Sequence, residues 1–112
     1  MLTLYGLKTC DSCRKARRAL EGAGREVAFV DLRRDDQLAS RLGAWLAAAP
    51  DALVNRASAT WRGLSDADKA RAETDPAGLL TERPALVKRP VIENGGAVTV
   101  GWKPETRARY GL

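Results

Sequence analysis

Two cysteines, Cys10 and Cys13, are the residues whose type and spacing most directly indicate chemistry in this chain. They lie in the stretch TCDSC, and the 112 residues include no other cysteine and no histidine. The missing histidines exclude Ser-His-Asp and Cys-His catalysis and any histidine metal site. The pair fits four interpretations: half of a zinc site, a structural disulfide, a dithiol redox centre, or two small core residues.

Redox chemistry is the interpretation that we favour for Cys10 and Cys13. Zinc needs four ligands, which two cysteines could supply only across a dimer, so we expect no bound metal. No secretory signal is visible, so we expect a cytoplasmic protein, and disulfides are rare in that compartment. A structural disulfide across two residues would also constrain the unfolded chain very little. Inert core cysteines stay open, because Cys13 shares the apolar stripe of a predicted helix.

The elements around the cysteines form a βαβ unit. Alternating apolar and polar residues predict a strand over 2–6, and apolar residues at helical spacing predict a helix over 11–21. A second strand over 26–32 should run parallel to the first. A CxxC between a strand and a helix is a stronger redox signal than the motif alone.

The start of a helix activates a thiol. Free backbone N–H groups and the positive end of the helix dipole both favour thiolate there, so Cys10 is the predicted nucleophile. Cys13, one turn later, is the predicted resolving thiol, and the pair closes to a disulfide in the cycle. Asp11 or Ser12 is predicted to bond the amides of the first turn. Further positive charge comes from Lys8, Arg14 and Lys15.

The middle of the chain has helical patterning. A helix is predicted over 36–48, followed by short helical pieces between 51 and 82 (DALVNR, SDADKARAET and DPAGLLTE). Ser65 with Asp68 is a capping-box-like start, and Asp75-Pro76 places proline at a first helical position.

The chain then returns to strands. PVIE (90–93) and AVTVG (97–101) are predicted strands joined by a hairpin at Asn94-Gly95-Gly96, and a terminal helix should begin near Pro104. The order β-α-β, helical insert at about 36–83, β-β-α is that of a thioredoxin-like α/β domain with a mixed sheet. We predict a single domain over 1–112, expected to be a monomer. No apolar run reaches the ~18 residues of a membrane span.

Arginine and proline frame the predicted site. In thioredoxin-like folds a proline that begins the third strand faces the cysteine loop after a cis peptide bond, and Pro90 has that position. Arg89 would then point toward Cys10 and lower its pKa. Arg56, in NRASATWRGL, could bind an anion, whereas Trp61 is interpreted as the buried anchor of that loop. Lys103 either reaches the same site or caps the last helix.

The net charge of +5 favours an anionic substrate. The arginines are spread out and interleaved with acids, so the chain shows no stripe of the kind that binds nucleic acid. We therefore expect a small-molecule or disulfide substrate, and no direct contact with nucleic acid or membrane.

The stretches LYGLKTCDSCRKARRALE, NRASATWRGL and KRPVIENGG…VGWKPE resemble, in order and spacing, the arsenate-reductase-like (ArsC) family, which includes the Spx regulators and the small YffB-type proteins. The likeness runs from residue 2 to about 107 and is closest to the YffB-type branch. It implies a thioredoxin-like fold with an inserted helical subdomain and a reacting thiol at Cys10. It also implies that Arg56 and Arg89 match two oxyanion-binding arginines.

Two departures from the reductases refine the expected activity. Lys103 stands where they have a third arginine, and Cys13 adds a thiol that the glutaredoxin-linked reductases lack. Both favour a thiol-disulfide reductase with no bound cofactor, in which Cys10 attacks a disulfide or, as the resemblance to the reductases implies, arsenate. The expected reductant is glutathione or another thiol. A redox-sensing regulator that binds RNA polymerase, like Spx, is the alternative. The substrate-binding residues are predicted to be Arg56, Lys103, Pro90, Thr9, Asp11 and Ser12.

Overall fold

A computed structural model describes residues 1–112. Its four strands are β1 (Leu2–Gly6), β2 (Val27–Asp31), β3 (Val91–Asn94) and β4 (Ala97–Val100). Its helices are α1 (Asp11–Gly22), α2 (Leu38–Ala48), α3 (Ala59–Arg62), α4 (Asp66–Thr74), α5 (Pro76–Glu82) and α6 (Pro104–Ala108), with a 3-10 turn at Pro84–Leu86. No helix combines the length and the hydrophobicity that crossing a membrane would require.

The sheet is mixed and has the strand order β2-β1-β3-β4. β1 and β2 are parallel, with Leu2 opposite Val27 and Gly6 opposite Asp31. β3 is antiparallel to both β1 and β4. With α1 connecting the parallel pair, this is the predicted thioredoxin-like α/β fold, which is thereby confirmed.

The chain forms two compact units. The first contains residues 1–35 and 89–112, and therefore holds the whole sheet, α1 and α6. Its core cluster consists of residues from β1, α1 and β3 that are almost fully removed from solvent, namely Leu2, Leu4, Cys13, Ala16, Leu20 and Ile92. The predicted stripe of α1 thus faces this core.

The second unit contains residues 36–88. Here α5 packs against α2 and α4, and the 3-10 turn packs against α3 and α5. The predicted caps are confirmed: the Ser65 hydroxyl accepts from the Asp68 N–H at 3.1 Å, and the Asp75 carboxylate accepts from the Gly78 N–H at 3.1 Å. Pro76 occupies the first turn of α5, as predicted.

Two local predictions in the second unit are wrong. The stretch DALVNR is not helical, because Val54 forms an isolated antiparallel bridge with Val87 and the Leu53 carbonyl accepts from the Lys88 N–H at 2.7 Å. Trp61 is not the buried anchor of a loop. It lies half-buried in the short helix α3, whose first turn is capped by the Ser58 hydroxyl.

Candidate functional site

Cys10 is the residue at which the β1–α1 loop becomes helix. Its backbone is extended (φ −84°, ψ 120°) and it occupies the N-cap position of α1. Its N–H donates to the Leu7 carbonyl at 3.1 Å, which closes the preceding turn. The side chain is half-buried against the core cluster and carries a free thiol. Cys10 therefore combines partial access to solvent with the positive end of a helix.

The first turn of α1 differs in part from the prediction. No side chain caps α1 with a hydrogen bond, and the Asp11 carboxylate pairs with Arg14 instead of accepting from the helix amides. Thr9, Asp11 and Ser12 are exposed around Cys10. Their predicted role in substrate binding stays a prediction.

Cys13 is buried one turn along α1, with a relative exposure of 1%. Its Sγ lies so close to the backbone of β1 that a Cβ placed on Gly6 would overlap it. Gly6 therefore lets the start of α1 approach the end of β1 closely. This close approach brings Cys13 into the core while Cys10 stays at the surface.

The pKa of Cys10 is lowered from its ordinary value of 9.0. Burial, the strongest single influence, acts in the opposite direction and raises it. The backbone N–H and the thiol of Cys13 and the Arg89 guanidinium outweigh burial, because each stabilises the thiolate. Cys10 is thus the more acidic of the two thiols.

The pKa of Cys13 is raised to about 12. Burial is the largest cause, and the neighbouring Cys10 adds to it through both its charge and its hydrogen bond. The Leu7 backbone and the Arg89 charge act against this rise without overcoming it. The thiol with the lowered pKa, Cys10, therefore suits the role of nucleophile, and the buried thiol with the raised pKa, Cys13, suits the role of second thiol.

Arg89 and Pro90 lie on the side of the site formed by β3. The Arg89–Pro90 peptide bond is cis, as predicted, and the Pro90 carbonyl accepts from the Gly101 N–H at 2.9 Å. Arg89 is half-buried and acts on Cys10 through charge and a hydrogen bond. The prediction that Arg89 points toward Cys10 agrees with this placement.

Trp102 and Lys103 follow β4 in the same unit. Trp102 packs against the core cluster, and its ring stacks on Tyr110 with centroids 6.2 Å apart. Lys103 is exposed and is the N-cap of α6, without a side-chain cap bond. A role of Lys103 in substrate binding stays a prediction.

Arg56 belongs to the second unit, where its side chain already has partners. Its guanidinium donates to Glu73 at 3.1 Å and to the Asp51 carbonyl at 3.2 Å, and it lies 5.4 Å from the centre of the Trp61 ring. The ion pair with Glu73 is exposed, so a competing anion could displace it at little cost. The predicted anion-binding role of Arg56 stays a prediction.

Comparison with known proteins shows the family of this chain. Residues 5–109 match the ArsC family. The chain belongs to the ArsC family. The predicted resemblance is thereby confirmed, including its likeness to YffB-type proteins.

Several known proteins are similar to nearly the whole chain. An uncharacterized protein of Haemophilus influenzae is 34% identical, over 91% of this chain and 91% of that protein. A structure named YFFB protein is 35% identical with a TM-score of 0.88, and 98% of each chain is covered. An arsenate reductase (ArsC) related protein from Brucella melitensis is 36% identical with a TM-score of 0.76, covering 98% of this chain and 93% of its own.

Sequence patterns alone miss two features of this ArsC-family site. They indicate Gly6 only as the end of a strand, although its missing side chain admits the sulfur of Cys13. The Cys13 N–H, rather than Asp11 or Ser12, is the first-turn group that most favours the Cys10 thiolate. For the close approach at Gly6, the signal in the sequence is a glycine directly before the β1–α1 loop. The second needs the folded helix, because it depends on the direction of one N–H bond.

Proposed function

We propose that this chain is a thiol-dependent reductase that passes two electrons from the Cys10–Cys13 dithiol to a small disulfide. One observation carries the proposal: three neighbouring groups, the Cys13 N–H, the Cys13 thiol and the Arg89 guanidinium, lower the pKa of Cys10 at the N-terminus of α1, although burial opposes them. Family membership supports it, since the match to the ArsC family spans residues 5–109.

In the first step the Cys10 thiolate attacks one sulfur of the substrate disulfide. A Cys10–substrate disulfide forms, the substrate S–S bond breaks, and one thiolate leaves and takes a proton from solvent. Arg89 would favour the attacking thiolate before this step. Its planar guanidinium would also suit a substrate carboxylate.

In the second step Cys13 loses its proton to solvent and attacks the sulfur of Cys10, so that the Cys10–Cys13 bond forms, the bond between Cys10 and the substrate sulfur breaks, and the second substrate thiolate leaves. A pKa of about 12 would slow this attack, but two of the influences that raise it come from Cys10. Both weaken once Cys10 carries no charge in the mixed disulfide. Formation of the intermediate would therefore itself make Cys13 easier to deprotonate, which gives the two steps their order.

The oxidised pair needs a thiol reductant to return to the dithiol. We infer that glutathione or another small thiol does this: two thiols give up two electrons and two protons and become one disulfide. The net charge of +5 would favour an anionic thiol such as glutathione. This chemistry would require a reducing compartment, such as the cytoplasm.

Turnover of hydroxyethyl disulfide with glutathione tests the proposal, with arsenate as a second substrate. We expect Cys10→Ser to abolish turnover and Cys13→Ser to lower it strongly. Turnover that survives Cys10→Ser would contradict the assignment of the nucleophile. Oxidation of the pair once per chain, with no turnover by any thiol, would instead favour a redox-sensing regulator.

A further inference from the structure

An open cavity of about 220 Å³ lies beside the start of α1. For scale, a buried cavity of about 150 Å³ holds a benzene molecule. The cavity lies within the first unit, and neither Cys10 nor Arg89 contributes to its wall. Its lining residues are Leu7, Lys8, Cys13, Arg14, Arg17 and Phe29.

The wall combines an apolar surface with positive charge. Leu7 and Phe29 supply the apolar part, and the Arg17 guanidinium lies 5.6 Å from the centre of the Phe29 ring. Lys8 and Arg14 supply two more cations, and no carboxylate is among the lining residues. A few convergent charges on an apolar concavity are typical of small-ligand sites.

The cations of this wall are open to a competing anion. Arg14 pairs with Asp11, and Arg17 lies 3.6 Å from a Glu21 carboxylate oxygen. The two arginine side chains are 53% and 46% exposed, so each pair contributes little to stability. The contact with Asp11 also shows that the Arg14 guanidinium can pair with a carboxylate.

We propose that this cavity binds a small oxyanion, a carboxylate or a phosphate monoester, that carries one apolar ring. The ring lies against Leu7 and Phe29, and the anionic group lies among Lys8, Arg14 and Arg17. Cys13 lines this cavity, whereas Cys10 and Arg89 do not, and the proposed binding does not depend on the proposed reductase activity.

Two-dimensional amide NMR of the full chain tests this site, with benzoate, phenyl phosphate, inorganic phosphate and benzyl alcohol as probes. We expect saturable shifts for benzoate or phenyl phosphate at millimolar concentrations, centred on Leu7, Lys8 and Phe29. The tighter of these two probes identifies the anionic group. Inorganic phosphate and benzyl alcohol, which each lack one half of the ligand, should bind roughly tenfold more weakly.

Matched variants locate the binding. Arg17→Gln and Phe29→Leu should each weaken binding of the tighter probe, Arg17→Gln by roughly tenfold. Arg18→Gln removes the same charge from the same helix outside the cavity and should leave binding unchanged. Three results would overturn the proposal. They are equal weakening of binding by Arg17→Gln and Arg18→Gln, chemical shift changes centred on Cys10 and Arg89, and the absence of any saturable shift. The spectra also report whether each variant is folded.

Discussion

The acidity of Cys10 results from a balance among a few neighbours. Burial raises its pKa, and the Cys13 N–H, the Cys13 thiol and Arg89 lower it by more. The hydrogen bond from the Cys13 backbone amide is the largest single contribution that lowers this pKa, and Arg89 contributes both a charge and a hydrogen bond. Lys8 and Arg14, which the sequence suggested as sources of positive charge, line the cavity beside Cys13 instead.

Replacing Arg89 should make Cys10 less acidic. Arg89→Met removes both the charge and the hydrogen bond that stabilise the thiolate, so the pKa of Cys10 should rise. The pH dependence of iodoacetamide alkylation measures this shift, best in a Cys13→Ala background with one thiol. Arg25→Met is the control, because Arg25 precedes β2 at the opposite end of the sheet. Equal alkylation midpoints in the two variants would contradict the role of Arg89.

Cys13 should make the fold sensitive to alkaline pH. Its pKa rises from an ordinary 9.0 to about 12 on folding. Below pH 9 the thiol is neutral in both the folded and the unfolded chain, so its titration does not change the free energy of unfolding. As pH rises from 9 toward 12, the unfolded chain loses this proton more readily than the folded chain, so the free energy of unfolding falls. Between pH 9 and pH 11, the free energy of unfolding should fall about 2 kcal/mol more in the wild type than in Cys13→Ala. Urea denaturation at the two pH values measures this difference, and parallel losses in both proteins would argue against it.

At the scale of elements, the site depends on how closely the end of β1 meets the start of α1. Gly6 has no side chain, and the sulfur of Cys13 lies too close to its backbone to leave room for a Cβ. This approach buries Cys13 while leaving Cys10 at the N-cap. A strand and a helix thus set the different environments of two residues that are close in sequence.

Gly6→Ala should destabilise the chain by roughly 1–3 kcal/mol, because the new methyl group overlaps a packed side chain. Gly43→Ala is the matched control. Gly43 lies within α2, where a new methyl group would meet no packed neighbour within 4 Å, so alanine there should stabilise by up to about 1 kcal/mol. Thermal unfolding of both variants tests the contrast. The loss at Gly6 should shrink in a Cys13→Ala background, and an undiminished loss would show that Sγ is not the obstacle.

Sequence patterns predict most elements because their signals are local. The caps at Ser65 and Asp75 and the stripe of α1 depend on neighbours within one or two turns. The helix predicted around Val54 is wrong, because the conformation there comes from pairing with Val87, a residue distant in sequence. The site follows the same division: Cys10 at a helix start is predictable, whereas the amide that acts on it and the place of Gly6 depend on packing.

At the scale of the whole molecule, the first unit, which contains the sheet, holds every group that acts on the pKa values of the two thiols. Residues 1–35 and 89–112 supply both cysteines and Arg89, so the thiol chemistry belongs to the thioredoxin-like part of the chain. Arg56 belongs to residues 36–88, where it pairs with Glu73. The net charge of +5 would favour the approach of the anionic substrate that we propose.

The order of the two thiols is the central claim, and trapping the mixed disulfide tests it most directly. Reduced Cys13→Ala, incubated with glutathione disulfide at neutral pH, should accumulate one glutathione adduct on Cys10 by intact mass. The wild type should instead end as the Cys10–Cys13 disulfide without an adduct, and Cys10→Ala should react far more slowly. An adduct that forms as fast on Cys13 in Cys10→Ala as on Cys10 in Cys13→Ala would contradict the claim.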